Sequence, residues 1–242
     1  LVVNLGLLFY FKYLIFFAAN TVGLANLIGF QLDPFVLDII LPLGISFYTF
    51  QTISYTIDVY RGVLKPERDF LLYGCFVTFF PQLVAGPILR ASEVIPQLTK
   101  RPRFNGADVV IGIRRIIFGL FLKVVVADNI APLVDSGFSL PTELLTALDV
   151  WTLAFLFGFQ IYFDFSAYSS IAIGSARILG IHFPENFNFP YLASSPREFW
   201  RRWHISLSSW IRDYLYFPLA GIKVQNKSEG GLTHATSEKQ KN

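Results

Sequence analysis

The chain has 242 residues, 53% hydrophobic and only 15% charged, with a net charge of +3 and a mean hydropathy of +0.50. An ordinary soluble domain is about 25% charged, so a soluble globular enzyme is excluded; the expected fold is an all-α, multi-pass integral membrane helix bundle. So small a net charge says little about partners, and no nucleic acid is expected among them.

At about 20 apolar residues per crossing, the candidate spans are 1–19, 35–57, 70–89, 108–127 and 150–181. Residues 199–220 read as an amphipathic intramembrane or interfacial helix. Leu1 opens directly onto the first span with no charged leader or cleavage site, so this is no signal peptide. Methionine is absent, and the chain is expected to be a piece of a longer protein at both ends. Lys12 sits centrally in that span, with snorkelling to the surface as the simple account.

The next stretch, LPLGISFYTFQTISYTIDVYRG at 41–62, holds Ser46, Tyr48, Thr49, Gln51, Thr52, Ser54, Tyr55 and Asp58. Such polar density either bonds helix to helix or lines a cavity for a polar substrate. Cys75, the single cysteine, is expected as a small buried apolar residue. Two prolines and a glycine interrupt FFPQLVAGPI at 79–88; broken backbone at membrane depth is tolerated only when buried in protein or lining a cavity. The break predicts a re-entrant segment, with a kinked ordinary span as the alternative.

Arg90, Lys100, Arg101 and Arg103 face one acid, Glu93, in 90–107, whereas 128–149 carries Asp128, Asp135, Glu143 and Asp149 with no Lys or Arg. Lys and Arg excess marks the cytoplasmic side, which puts 90–107 inside and 128–149 outside. Arg61, Lys65 and Arg68 also read as cytoplasmic, and a re-entrant 70–89 reconciles them with the next basic loop. Asp164, between apolar flanks in GFQIYFDFSAYSS, needs a partner. It pairs with Arg177 or a later arginine, or stays protonated as a donor.

Ser195-Pro196-Arg197-Glu198 starts a helix, with Ser195 as N-cap, Pro196 first and Glu198 third in a capping box. In the segment SPREFWRRWHISLSSWIRDYLYFP, a period of 100° per residue puts His204 on one face with Arg197, Trp200, Arg201, Ser208 and Ile211. Arg202, Ser206, Ser209 and Asp213 form a second polar stripe. An ionisable residue at membrane depth marks function by default; an interfacial helix with Trp anchors and snorkelling arginines is the competing account. Residues 222–242 read as a polar, disordered tail. No Walker A loop, dinucleotide fingerprint, HExxH, CxxC pair or GxSxG is present, and histidines at 182, 204 and 234 suggest no metal site.

The blocks LPLGISFYTFQTISYTIDVYRG, FFPQLVAGPILR and IYFDFSAYSSIAIGSARILGIHFPENFNFPYLASSPREFWRRWHISLSSWIRDYLYFPL, with NLGLLFYFKY before them, resemble the membrane-bound O-acyltransferase (MBOAT) family in its bacterial, alginate-type branch. The resemblance runs from Asn4 to Gly221 and implies a partial MBOAT membrane domain over 1–221. It implies an enzyme of the bacterial cytoplasmic (inner) membrane that passes an acetyl group from cytoplasmic acyl-CoA through the bilayer for O-acetylation of a cell-surface polysaccharide. The resemblance implies also that an extracytoplasmic SGNH-hydrolase-type partner completes the transfer and that acyl-CoA is a substrate rather than a bound cofactor.

The family has two signature histidines. One, in WRRWHISLS, is His204; the other, usually taken as the catalytic base, lies in a later apolar helix of Trp-His-Gly type that this sequence does not contain. His234, in GLTHATSEK, matches neither feature. At the cytoplasmic mouth Arg197, Arg201 and Arg202 either hold the phosphates of acyl-CoA or meet lipid headgroups. Asp164, Trp200, Trp203 and Ser208 are candidate supports of the site. Two other readings stay open: a channel or carrier for a small polar solute, and a catalytically dead truncated product.

Overall fold

The computed structural model describes residues 1–33, 39–83, 86–100 and 104–222, and among these no strand occurs. The polar tail, apart from Ile222, and His234, Arg101 and Arg103 lie outside the described residues. In chain order the helices are α1 (Val2–Leu27), α2 (Ile45–Tyr60), α3 (Phe70–Val77), α4 (Phe80–Leu83) and α5 (Ala91–Thr99). Then come α6 (106–138), α7 (Ala147–Ile178), α8 (Pro196–Arg202) and α9 (205–219).

Two of these, α1 and α7, are both long and apolar enough to cross a bilayer, fewer than the five or six helices expected. The difference has local causes. In the second expected span, residues 39–44 are not helical and 34–38 lie outside the described residues, so the helix begins at Ile45. The third breaks at Thr78–Phe79 and ends at Leu83. The 90–107 stretch, read as a loop, contains α5. Helix α6 runs eleven residues past the expected end at 127, into the acidic stretch read as a loop, because Asp128 turns back to Lys123.

Three π-helical turns, Phe9–Tyr13, Phe121–Ala127 and Arg212–Tyr216, interrupt α1, α6 and α9. Such a wide turn re-aims side chains, and each carries a charge that meets another element. Lys12 donates to Ser46 at 3.2 Å rather than snorkelling. Lys123 reaches Asp128 and Asp164 at 2.7 Å each. Asp213 accepts from Arg90. The partner of Asp164 is therefore Lys123, whereas Arg177 pairs with Asp108 at 2.9 Å, correcting both expected pairings.

Helices α6 and α7 form the principal hairpin, closed by the Thr146–Asp149 capping box at the start of α7. Glycines bring them together: a Cβ on Gly112 would lie 2.7 Å from the Gly174 carbonyl oxygen, and one on Gly174 2.7 Å from that of Gly112. Close backbone approach of this kind replaces the hydrophobic drive that lipid cannot supply.

Arg61 and Arg90 both lie over the Tyr214 ring, at 5.7 and 5.4 Å. Two residues beside one ring cannot flank a hydrocarbon core about 30 Å thick. The chain thus stands at one level at Arg61 and at Arg90, which fits a re-entrant segment and not a single kinked span between them. Gly44 (φ +73°) starts α2 in left-handed geometry, where a side chain would strike the Leu83 carbonyl. That contact tucks α4 against α2.

On α2 the buried polar residues are Thr49, Gln51, Ser54 and Asp58. Asp58 accepts from the Tyr214 hydroxyl at 2.7 Å and Trp210 donates to the Phe50 carbonyl at 3.1 Å, so Asp58 and the Phe50 carbonyl tie α2 to α9, whereas Ser54 bonds within α2. Neither side-chain polar atom of Gln51 has a partner among the described residues. Cys75 is exposed, against expectation: α3 is short, and it turns Phe76, not Cys75, into the core.

Candidate functional site around His204

The sequence predicts one continuous helix from Ser195; the structure breaks it. Helix α8 ends at Arg202, Trp203 is extended, and His204 takes φ +41°, ψ +56°, before α9 begins at Ile205. Left-handed backbone at a non-glycine residue costs of order 1–3 kcal/mol and clusters at functional positions. The loop 186–188 compensates. Asn188 N–H donates to the Arg202 carbonyl at 2.9 Å, and Ile205 N–H donates to the Asn186 carbonyl at 2.9 Å. These bonds occupy polar groups that the break would leave unpaired.

The break separates the predicted face. His204 is buried, whereas Arg197, Trp200 and Arg201 are exposed. Ser208 donates to the Trp203 carbonyl at 3.2 Å, and Trp203 packs edge-on to Phe187 at 5.2 Å, so both brace the break. Among the described residues Trp200 has one aromatic neighbour, the Phe199 ring at 5.5 Å. Asp164 belongs to the α6–α7 clamp through Lys123, whereas its neighbour Phe165 sits edge-on to the His204 ring at 4.7 Å.

Around the imidazole lies a buried polar cluster that the periodicity did not reveal. Asn186, 0% exposed, places Oδ1 3.1 Å from His204 Nδ1. The same oxygen accepts from Ser206 N–H at 3.2 Å and from Ser206 Oγ at 2.9 Å. Asn186 Nδ2 donates to Ser169 Oγ at 3.0 Å, and Ser206 Oγ accepts from Ile88 N–H at 2.9 Å. The end of the re-entrant segment, α7, the loop before α8 and the helix break thus converge on one imidazole. The sequence signal was present in FPENFNFP, two asparagines flanked by aromatics and prolines in a membrane chain.

Beside this cluster a cavity of about 490 Å³ opens between α6, α7 and the loop, lined by Phe118, Tyr162, Phe163, Tyr191, Ser166 and Asn186 among others. Arg115 and Glu185, an ion pair, also line it. Asn186 and Phe187 border both cavity and imidazole.

At the start of α8, Ser195 Oγ accepts from Glu198 N–H at 3.2 Å, as expected of an N-cap. The carboxylate of Glu198 does not complete the capping box on Ser195; it accepts from Ser194 N–H and Oγ, and from Arg202. The Ser194 backbone and hydroxyl bonds, then Arg202, hold its pKa at about 2, below the ordinary 4.5. Its contribution to the turn is complete above that ordinary value and is lost only as pH falls toward 2. Arg202 is therefore engaged, whereas Arg197 and Arg201 have no side-chain partner among the described residues.

Residues 67–236 match MBOAT, the membrane-bound O-acyltransferase family. The chain is 45% identical over 221 residues to a probable alginate O-acetylase AlgI of Azotobacter vinelandii, covering 91% of this chain and 43% of that protein. It is 39% identical to a peptidoglycan O-acetyltransferase of Helicobacter pylori (93% and 46% covered). Identity to a teichoic acid D-alanyltransferase of Bacillus subtilis is 33% (72% and 44% covered). The chain thus spans under half the length of these relatives. On the match over 67–236, the chain belongs to the membrane-bound O-acyltransferase family.

Proposed function

We propose that the full-length protein is an O-acetyltransferase of the bacterial cytoplasmic membrane, moving acetyl groups from cytoplasmic acyl-CoA toward hydroxyls of a cell-surface polysaccharide of the alginate type. The supporting observation is His204, buried at a strained helix break in a chain similar along 91% of its length to a named alginate O-acetylase. An imidazole suits the proton work of acyl transfer at neutral pH. The aromatic-lined cavity beside it offers apolar walls to an acyl-bearing arm, and residues 1–221 supply part of the membrane domain. An extracytoplasmic SGNH-hydrolase-type protein takes up the acyl group.

The phosphates of acyl-CoA fall to Arg197 and Arg201, whose guanidinium groups are exposed and unengaged and whose fork suits phosphate. Arg202 acts with them by holding the first turn of α8 through Glu198. Neutralising both exposed arginines, as Arg197→Gln with Arg201→Gln, is expected to raise the KM for acyl-CoA roughly tenfold, the scale of one lost charge-assisted bond of about 1.5 kcal/mol, with kcat little changed. Steady-state kinetics on the full-length protein in detergent measures this. An unchanged KM would return these arginines to the lipid headgroups.

A further inference from the structure

We infer that Asn186 is a positioning residue that fixes the proton of neutral His204 on Nδ1 and so presents Nε2 as the hydrogen-bond acceptor of the site. The effect on rate rests on the acyltransferase reading; the tautomer does not. The argument starts from a donor that cannot reverse. Ser206 N–H can only donate, and it points at the Asn186 side-chain atom 3.2 Å away, so that atom is the amide oxygen. The other end of the amide, Nδ2, then donates to Ser169 Oγ. Ser206 Oγ accepts from Ile88 N–H and gives its own proton to Asn186 Oδ1.

Every polar atom facing His204 Nδ1 is thereby committed. Asn186 Oδ1, at 3.1 Å, only accepts, and Ser206 Oγ, at 3.4 Å, has its proton directed elsewhere. Nδ1 must donate, so in the neutral ring the lone pair is on Nε2. No group among the described residues bonds Nε2. The ring cannot flip about Cβ–Cγ, which would put Cδ2 in the place of Nδ1, without losing the Asn186 bond, and Phe165 and Phe187 pack against it at 4.7 and 6.5 Å. The left-handed backbone of His204 and the Ile205–Asn186 main-chain bond hold both partners in register.

The test uses the full-length protein, with Asn186→Ala and Asn186→Asp compared. Both lose the bond from Nδ2 to Ser169, so a merely structural Asn186 fails alike in both. Aspartate keeps an acceptor toward Nδ1; alanine does not. Nitrogen NMR of ¹⁵N-histidine-labelled protein is expected to show His204 protonated at Nδ1 and bare at Nε2 in the wild type and Asn186→Asp, with that signature lost in Asn186→Ala. Turnover of acyl-CoA in Asn186→Ala is expected to fall on the order of 10²-fold in kcat, with KM little changed and most of the rate restored in Asn186→Asp. Wild-type His204 protonated at Nε2, or aspartate as inactive as alanine, would overturn the assignment. Full turnover in His204→Ala, with wild-type His204 found protonated at Nδ1, would instead remove His204 from catalysis and leave the tautomer assignment standing.

Discussion

Substituting leucine for Gly112 is expected to destabilise the membrane domain by roughly 3 kcal/mol, at the top of the usual range for overpacking, and to leave little folded protein in detergent. The cause is reciprocal. Gly112 and Gly174 face one another so closely that a Cβ on either would lie 2.7 Å from the other's carbonyl oxygen, with Ile178 Cγ1 equally near the first and Ile116 Cγ1 at 2.9 Å from the second. Backbone cannot yield as a flexible side chain can, so α6 and α7 would have to separate. Separation would also part Lys123 from Asp164 and Arg177 from Asp108, the two ion pairs that cross this interface. Leaving such charges unpaired in lipid costs a few kcal/mol more. Alanine at 112 should give a smaller loss than leucine. Thermal unfolding of the full-length protein, followed by size-exclusion chromatography, reads both, and a Gly112→Leu protein as stable as wild type would contradict the close packing.

The second large effect is on chemistry. His204→Ala is expected to lower kcat for acyl transfer roughly 10²- to 10⁴-fold, the range for removal of a positioned acid or base. The protein should still fold, because the main-chain bonds from loop 186–188 to Arg202 and Ile205 do not involve the imidazole. Alanine at a left-handed position carries its own strain. Gly at 204, which relieves that strain, is therefore the control: it should be no more active than alanine. Activity recovered in His204→Gly would make backbone geometry, rather than the ring, the contribution of this position.

Much of the architecture was legible in the chain. The apolar run at 150–181 lies within three residues of α7, Ser195 caps α8 as its sequence suggests, and the prolines of FFPQLVAGPI do mark broken backbone. What failed was inference from uniform periodicity. Nothing in WRRWHISLS interrupts a 100° repeat, since the break at Trp203–His204 is imposed from outside by loop 186–188. Hydrogen bonds over fourteen or more residues of separation leave no trace in local spacing. The acidic stretch after 127 misled for a related reason: Asp128 reads as solvated loop, yet it shares Lys123 with Asp164. The partner of His204, Asn186, comes from a loop and is itself bonded to Ser169 of another helix, so no helical wheel could place it beside the ring.

The most direct test of the acyltransferase account uses sealed vesicles carrying the full-length protein, with the proposed extracytoplasmic partner and polysaccharide enclosed and acetyl-labelled acyl-CoA supplied on the outer, cytoplasmic face. The account predicts label on enclosed polysaccharide hydroxyls, in step with free coenzyme A released outside, and neither in His204→Ala. Passage of a small polar solute with no acyl-CoA consumed would contradict it and favour a channel or carrier.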